Sequence, residues 1–104
     1  MLLSKGRPVG FDASGHTGYA EEGSDIVCSA VSALTQAAVL GLTQVLHIPV
    51  GLDMEDGSLY CILPDDCQGL QLEKAQVILD TLYQSLSAIR EEYKAFLRIT
   101  KKEV

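Results

Sequence analysis

The spacing of apolar residues predicts a first helix from Ser24 to about Leu42. Apolar side chains occupy most of its helical wheel, and the polar ones form one narrow stripe. Ser24 or Gly23 is the expected N-cap, and Asp25 follows in the first turn, where a negative charge suits the helix dipole. We therefore expect a mostly buried helix.

A second helix is predicted from about Gln71 to Thr100. Its apolar positions alternate spacings of four and three residues, at Ala75, Leu79, Leu82, Leu86, Ile89, Tyr93 and Phe96. About 28 helical residues extend roughly 40 Å, whereas an ordinary strand spans about 17 to 20 Å. We therefore expect the stripe to overhang the sheet, and Ile89 to Phe96 to lie in or beside a contact between two copies.

Three strands are predicted, at Val9 to Ala13, Val45 to Leu52 and Ser58 to Leu63. The last two are joined by Asp53 to Gly57, whose Asp-Gly pair is a hairpin signal. Pro49 places the first strand of this hairpin at an edge or a bulge. The expected fold is α/β, in the α+β sense, with a small, mostly antiparallel sheet packed with two main helices.

Composition limits the size and compartment of this fold. A chain of 104 residues that is 47% hydrophobic forms one ordinary domain, residues 1–104. Three cysteines form no complete disulfide framework, and no signal peptide or apolar run of about 18 residues is apparent, so we expect a cytoplasmic protein outside the membrane.

The chain is acidic. A formal net charge of −6 argues against a general nucleic-acid binder, which needs clustered Lys and Arg. The acidic residues fall mostly in predicted loops, where they serve solubility or attract a basic protein partner.

The chemistry is concentrated in one window. A glycine-rich loop carries His16 between Gly15 and Gly18, and it leads through Gly23 into the helix that bears Cys28, 12 positions after the histidine. A thiol near a helix N-terminus or a protonated histidine gains thiolate character. The alternatives are a packed cysteine and a surface histidine.

Other residues of the window have supporting interpretations. Asp25 lies three residues before Cys28 on the same side of the helix, so it either orients His16 or is simply a helix N-terminal acid. Ser29 and Ser32 either line a peptide groove or form a solvated face. The loop lacks a phosphate-binding motif, and the His and Cys spacings fit no metal site, so no metal or cofactor is expected.

The stretch from Gly10 to Leu34 resembles the ribosomal-processing cysteine protease family, called Prp or YsxB-like. The shared features are the Gly-His-x-Gly-Tyr-Ala opening, the helix start Gly-Ser-Asp-Ile-Val-Cys-x-Ala-Val-Ser-Ala-Leu and the distance between histidine and cysteine. Looser resemblance covers most of the chain. At the N-terminus only Leu2 and Leu3 precede a turn, so either the first strand is shorter than in relatives or the true start lies upstream.

The resemblance implies a cytoplasmic bacterial endopeptidase that removes a short N-terminal extension from ribosomal protein number twenty-seven of the large subunit. It implies Cys28 as the nucleophile, His16 as the acid/base, an apolar or aromatic-containing cleavage segment, no cofactor and a homodimer. The alternative is a non-catalytic ribosome-associated protein-binding module. A redox or acyl-transfer thiol protein is disfavoured because no Cys-x-x-Cys is present.

Overall fold

The computed structural model describes residues 1–14, 22–55 and 57–104, with the side chains of all of these except 22–25. The elements in chain order are β1 (Leu2–Ser4), β2 (Arg7–Ser14), α1 (Glu22–Leu40), a π-helical turn (Gly41–Val45), β3 (Gly51–Glu55), β4 (Ser58–Ile62), α2 (Gly69–Glu92) and β5 (Lys102–Glu103).

The strands form one five-stranded sheet in the order β3-β4-β2-β1-β5. All neighbours are antiparallel except β1 and β5, which pair in parallel, so the expected mostly antiparallel sheet is confirmed. The β1–β2 connection is a tight turn in which Lys5 and Gly6 have φ angles of 54° and 76°. Positive φ at both central residues is the type I′ geometry that matches the twist of a hairpin.

The two helices pack against one face of this sheet. Side chains alternate along the strands, so that Phe11 and Cys61 are buried while Asp12 and Tyr60, their neighbours along β2 and β4, face solvent. The helices complete the core with Val27, Val31, Ala38, Leu42, Ala75, Leu79, Leu82 and Leu86. The predicted α+β domain with two main helices is confirmed.

Helix α1 differs from its prediction in two respects. It begins at Glu22, so Gly23 and Ser24 lie inside it and neither is the N-cap. It is also not mostly buried, because the sheet and α2 cover only one side and leave Ile26 and Leu40 52% and 57% exposed. The stretch Ile26–Val45 has a mean hydropathy of 1.7 and is long and apolar enough to span a membrane, contrary to the expectation that no such run exists. In this fold its inner face belongs to the core.

Helix α2 is shorter than predicted. It ends at Glu92, and Tyr93 leaves the helical conformation with φ −126° and ψ 53°. The chain then turns back through a hydrogen bond from the Phe96 N–H to the Tyr93 carbonyl and ends in β5. Because Ile89 and Tyr93 pack against the core of their own chain, the predicted overhang of the apolar stripe is wrong.

The β3–β4 hairpin is confirmed, with β3 at the sheet edge, but its bounds differ. Strand β3 begins at Gly51, after the π-helical turn and an irregular stretch in which His47 is exposed with φ 55°. His47 is therefore not in a strand. Strand pairing runs to Glu55 and Ser58, so the hairpin loop is two residues long, and its Asp56 lies outside the described residues.

Candidate active site

A cavity of about 240 Å³ opens beside α1, at the end of β2. Five parts of the chain meet there: the N-terminus, the last residues of β2, the inner face of α1, one residue of α2 and the segment that follows α2. The lining residues are Met1, Phe11, Asp12, Ala13, Ser14, Val27, Cys28, Val31, Thr35, Leu86, Phe96, Leu97, Arg98, Ile99 and Thr100.

Cys28 is half-buried and lines this cavity. It lies six residues after Glu22, in the second turn of α1, and not in the first turn, where a helix that starts at Ser24 would place it. Its backbone N–H is therefore engaged in the helix ladder and is not one of the unpaired groups of the helix N-terminus. The dipole effect falls off within the first turn, so activation of this thiol depends on a neighbouring base more than on the helix.

The cavity has an apolar floor and a polar rim. Phe11, Val27 and Val31 are almost completely buried beneath it. The Thr35 hydroxyl donates to the Val31 carbonyl at 2.8 Å, so it is satisfied within the helix. Among the other lining residues, Asp12, Ser14, Arg98 and Thr100 are exposed to solvent. An apolar side chain can enter such a site while its backbone remains among polar groups.

The described structure does not place the other predicted site residues at the cavity. Gly15, His16 and Gly18 lie outside the described residues, and so does the side chain of Asp25. Gly23 belongs to α1. Ser29 is exposed and Ser32 half-buried, and the described lining of the cavity includes neither of them. Of the predicted residues, Cys28 alone is placed at the cavity by the described structure.

The other two thiols differ from Cys28 in position. Cys61 is fully buried in β4, and burial raises the pKa of its thiol to about 11. Cys67 is half-buried, and its pKa is raised by burial and, to a smaller extent, by the charge of Asp66. Within the described ranges no group of three or more His, Cys, Asp or Glu side chains is arranged to hold a metal ion.

Sequence reasoning missed one wall of the cavity, the segment 96–100. Its residues alternate between exposed and half-buried, with Leu97 and Ile99 toward the core. An alternation with a period of two is typical of an extended chain, and it was the signal from which this wall could have been predicted. The prediction assigned the same residues to a helix because Phe96 also continues the helical stripe.

Comparison with known proteins identifies the family of this chain. The family model for cysteine protease Prp matches residues 1–98. A ribosomal processing cysteine protease Prp of Bacillus subtilis strain 168 is 33% identical over 94 residues, which cover 88% of this chain and 84% of that protein. The Prp of Staphylococcus aureus strain Mu50 is 34% identical over 91 residues, which cover 85% and 81%.

Solved structures show the same fold. A crystal structure of the essential ribosomal processing protease Prp from S. aureus with a substrate peptide has a TM-score of 0.84 and 26% identity, covering 97% of this chain and 94% of that one. Another, with a covalently linked product peptide, has a TM-score of 0.78 and 25% identity, covering 99% and 94%. This chain therefore belongs to the Prp family of ribosomal processing cysteine proteases.

Proposed function

We propose that this protein is the cytoplasmic endopeptidase that removes a short N-terminal extension from ribosomal protein number twenty-seven of the large subunit. The observation that carries the proposal is the position of Cys28, a half-buried free cysteine that lines a cavity with an apolar floor. A peptide with a large apolar side chain fits such a cavity. The S. aureus relatives that hold a substrate and a product peptide support this assignment.

In the proposed mechanism, His16 takes the thiol proton of Cys28, and the thiolate attacks the carbonyl carbon of the scissile peptide bond. His16 then gives the proton to the leaving amine, and a thioester remains on Cys28. A water that His16 deprotonates attacks this thioester and releases the second product. The reaction needs no cofactor.

Two arguments support His16 as the base. Ser14 lines the cavity and precedes His16 by two residues, and two residues of chain reach at most about 7 Å. A histidine, with a reference pKa of about 6.5, is also the side chain best suited to exchange a proton near neutral pH. We assign Asp25 a supporting role in orienting His16, and we assign Gly15 and Gly18 to loop movement during substrate entry. Gly23, which the sequence placed in the same loop, belongs to α1 and has no such role. Ser29 and Ser32 remain candidates for contacts with more distant parts of the peptide.

We also propose that the protein is a homodimer. An apolar groove of about 260 Å³ runs between α1 and α2 and is lined in part by Leu34, Gly41 and Val77. Val77, which lines the groove, is 64% exposed, and Leu40, the neighbour of Gly41 in sequence, is 57% exposed. Exposed apolar surface of this kind supports association between copies. The groove is a better candidate contact than the end of α2, where the sequence placed it.

The function is tested by incubating the protein with the precursor ribosomal protein and measuring product masses. We expect two fragments whose masses sum to that of the precursor plus one water. Cys28→Ala should abolish the products, while the matched control Cys67→Ala, which removes another half-buried thiol, should retain them. Cleavage by folded Cys28→Ala at the wild-type rate would refute the assignment of the nucleophile.

The alternative is a ribosome-associated module that binds its partner without cleaving it. Thiol reactivity separates the two functions. If the protein is an enzyme, Cys28 should be alkylated rapidly near pH 7. His16→Ala should slow this reaction because the base that takes the thiol proton is lost. Slow labelling that does not depend on His16 would favour the binding module.

A further inference from the structure

Residues 96–100 form a wall of the cavity between α2 and β5; Phe96 ends a turn, and residues 97–100 belong to no helix or strand. Leu97 and Ile99 turn toward the core, while Phe96, Arg98 and Thr100 are exposed. All five residues line the same cavity as Cys28. At its first end the wall is fixed by the turn between Tyr93 and Phe96, whose backbone hydrogen bond measures 3.0 Å.

At its second end the wall depends on a very short strand. Strand β5 has two residues, and backbone hydrogen bonds hold it to β1 from the Lys102 N–H to the Met1 carbonyl at 2.9 Å and from the Val104 N–H to the Leu3 carbonyl at 2.8 Å. The Met1 ammonium also donates to the Thr100 carbonyl at 2.8 Å. An ordinary strand of about five or six residues has a longer ladder than this.

The Glu103 side chain adds a second attachment. Its carboxylate accepts hydrogen bonds from the backbone N–H groups of Lys5 and Gly6, at 3.1 and 2.8 Å. These two residues form the β1–β2 turn with positive φ angles, and successive N–H groups of a turn form a concave site for an anion. Hydrogen bonds to an ionised carboxylate are stronger than neutral ones.

We propose that Glu103 is a positioning residue for the peptide substrate, because it holds β5 on the β1–β2 turn and thereby keeps the wall 96–100 in place beside Cys28. This inference rests on the proposed function. The wall contributes Phe96, Leu97 and Ile99 to the lining of the cavity, so its displacement removes apolar contact from a bound peptide. No residue of the wall takes part in the proposed chemistry at Cys28. Loss of the Glu103 carboxylate should therefore weaken peptide binding and leave the chemical step unchanged.

The test compares Glu103→Ala, Glu103→Gln and the control Glu92→Ala, which removes another exposed glutamate at the end of α2. KM and kcat are measured with a synthetic peptide that covers the N-terminal region of the precursor. The Kd of the fluorescein-labelled peptide is measured in the Cys28→Ala background, where no cleavage interferes. Alkylation of Cys28 by iodoacetamide, a reagent too small to need the wall, reports the thiol itself.

We expect Glu103→Ala to raise KM and Kd by about tenfold, with kcat and the alkylation rate within about twofold of wild type. Glu103→Gln retains one acceptor oxygen and should give an intermediate increase, and Glu92→Ala should give none. Unchanged KM and Kd in Glu103→Ala, or an equal fall in kcat and alkylation rate, would overturn the positioning role. If wild-type protein does not cleave the precursor at all, the proposed function fails instead.

Discussion

Iodoacetamide near pH 7 should label one of the three thiols of the native protein, Cys28. This reaction separates a working thiol from packed ones, because alkylation requires a thiolate that the reagent can reach. Cys28 borders the cavity, whereas Cys61 is 0% exposed in the core. The structure therefore allows the difference in rate to be worked out.

For Cys61 the magnitude follows from its pKa of about 11. At pH 7 the thiolate is then about 1 part in 10⁴, compared with about 1% for an ordinary thiol of pKa 9.0. Ionisation alone makes Cys61 about 100 times less reactive than a free cysteine. Its burial adds to this, because the reagent reaches it only when the domain opens. Cys67 should lie between the two extremes, since burial and Asp66 both raise its pKa.

The assay is peptide mapping by mass spectrometry at several times after addition of the reagent. We expect modification of Cys28 at least about a hundred times faster than that of Cys61, and a plateau of one label per chain. Cys28→Ala should lose the fast phase, and denaturant should make all the remaining thiols react together. If Cys61 were labelled as fast as Cys28 in native protein, the arrangement of the core around β4 would be wrong.

Three further outcomes are expected. Gly10→Ala should destabilise the domain by about 3 kcal/mol in urea unfolding, because the added Cβ would meet the Cys61 carbonyl oxygen and lie 2.9 Å from the Cα of Ile62, both backbone atoms of the paired strand; wild-type stability would contradict this packing. Between pH 9 and 11 the unfolded state releases the Cys61 proton that the folded state keeps, so the free energy of unfolding should fall with rising pH by up to about 3 kcal/mol. The fall should be smaller in Cys61→Ala. An equal dependence of stability on pH in the two proteins would show that Cys61 does not cause it. Asp25→Asn should reduce peptide cleavage less than Cys28→Ala does, and equal inactivity in a folded protein would indicate a catalytic triad.

Local patterns were sufficient for the core elements. The spacing of Ala75, Leu79, Leu82 and Leu86 predicts the buried face of α2, and these four residues are indeed buried. The Asp-Gly pair predicts the β3–β4 hairpin in the same way. These signals succeed because each depends on neighbours that are close in sequence, whose geometry a helix or a turn fixes without help from the rest of the chain.

The burial of α1 could not be predicted in this way. Its sequence is apolar around nearly the whole helix, so periodicity does not indicate which side meets the sheet. The fold covers the side with Val27 and Val31 and leaves Ile26 and Leu40 exposed. That choice is made by the position of α2 and the sheet, which are distant in sequence.

The wall of the cavity, residues 96–100, likewise could not be predicted from local sequence patterns. Cys28 and His16 are close enough in sequence for a motif to join them, but residues 96–100 are far from Cys28 in sequence, and the pairing of β5 with β1, between opposite ends of the chain, helps to hold them at the same cavity. As far as Phe96, the positions of the apolar residues fit both a helix and an extended chain. Beyond it, residues two apart lie about 200° from each other on a helix but on one face of an extended chain. Only the extended form can bury Leu97 and Ile99 together, and it brings Phe96, Arg98 and Thr100 to the opening of the cavity.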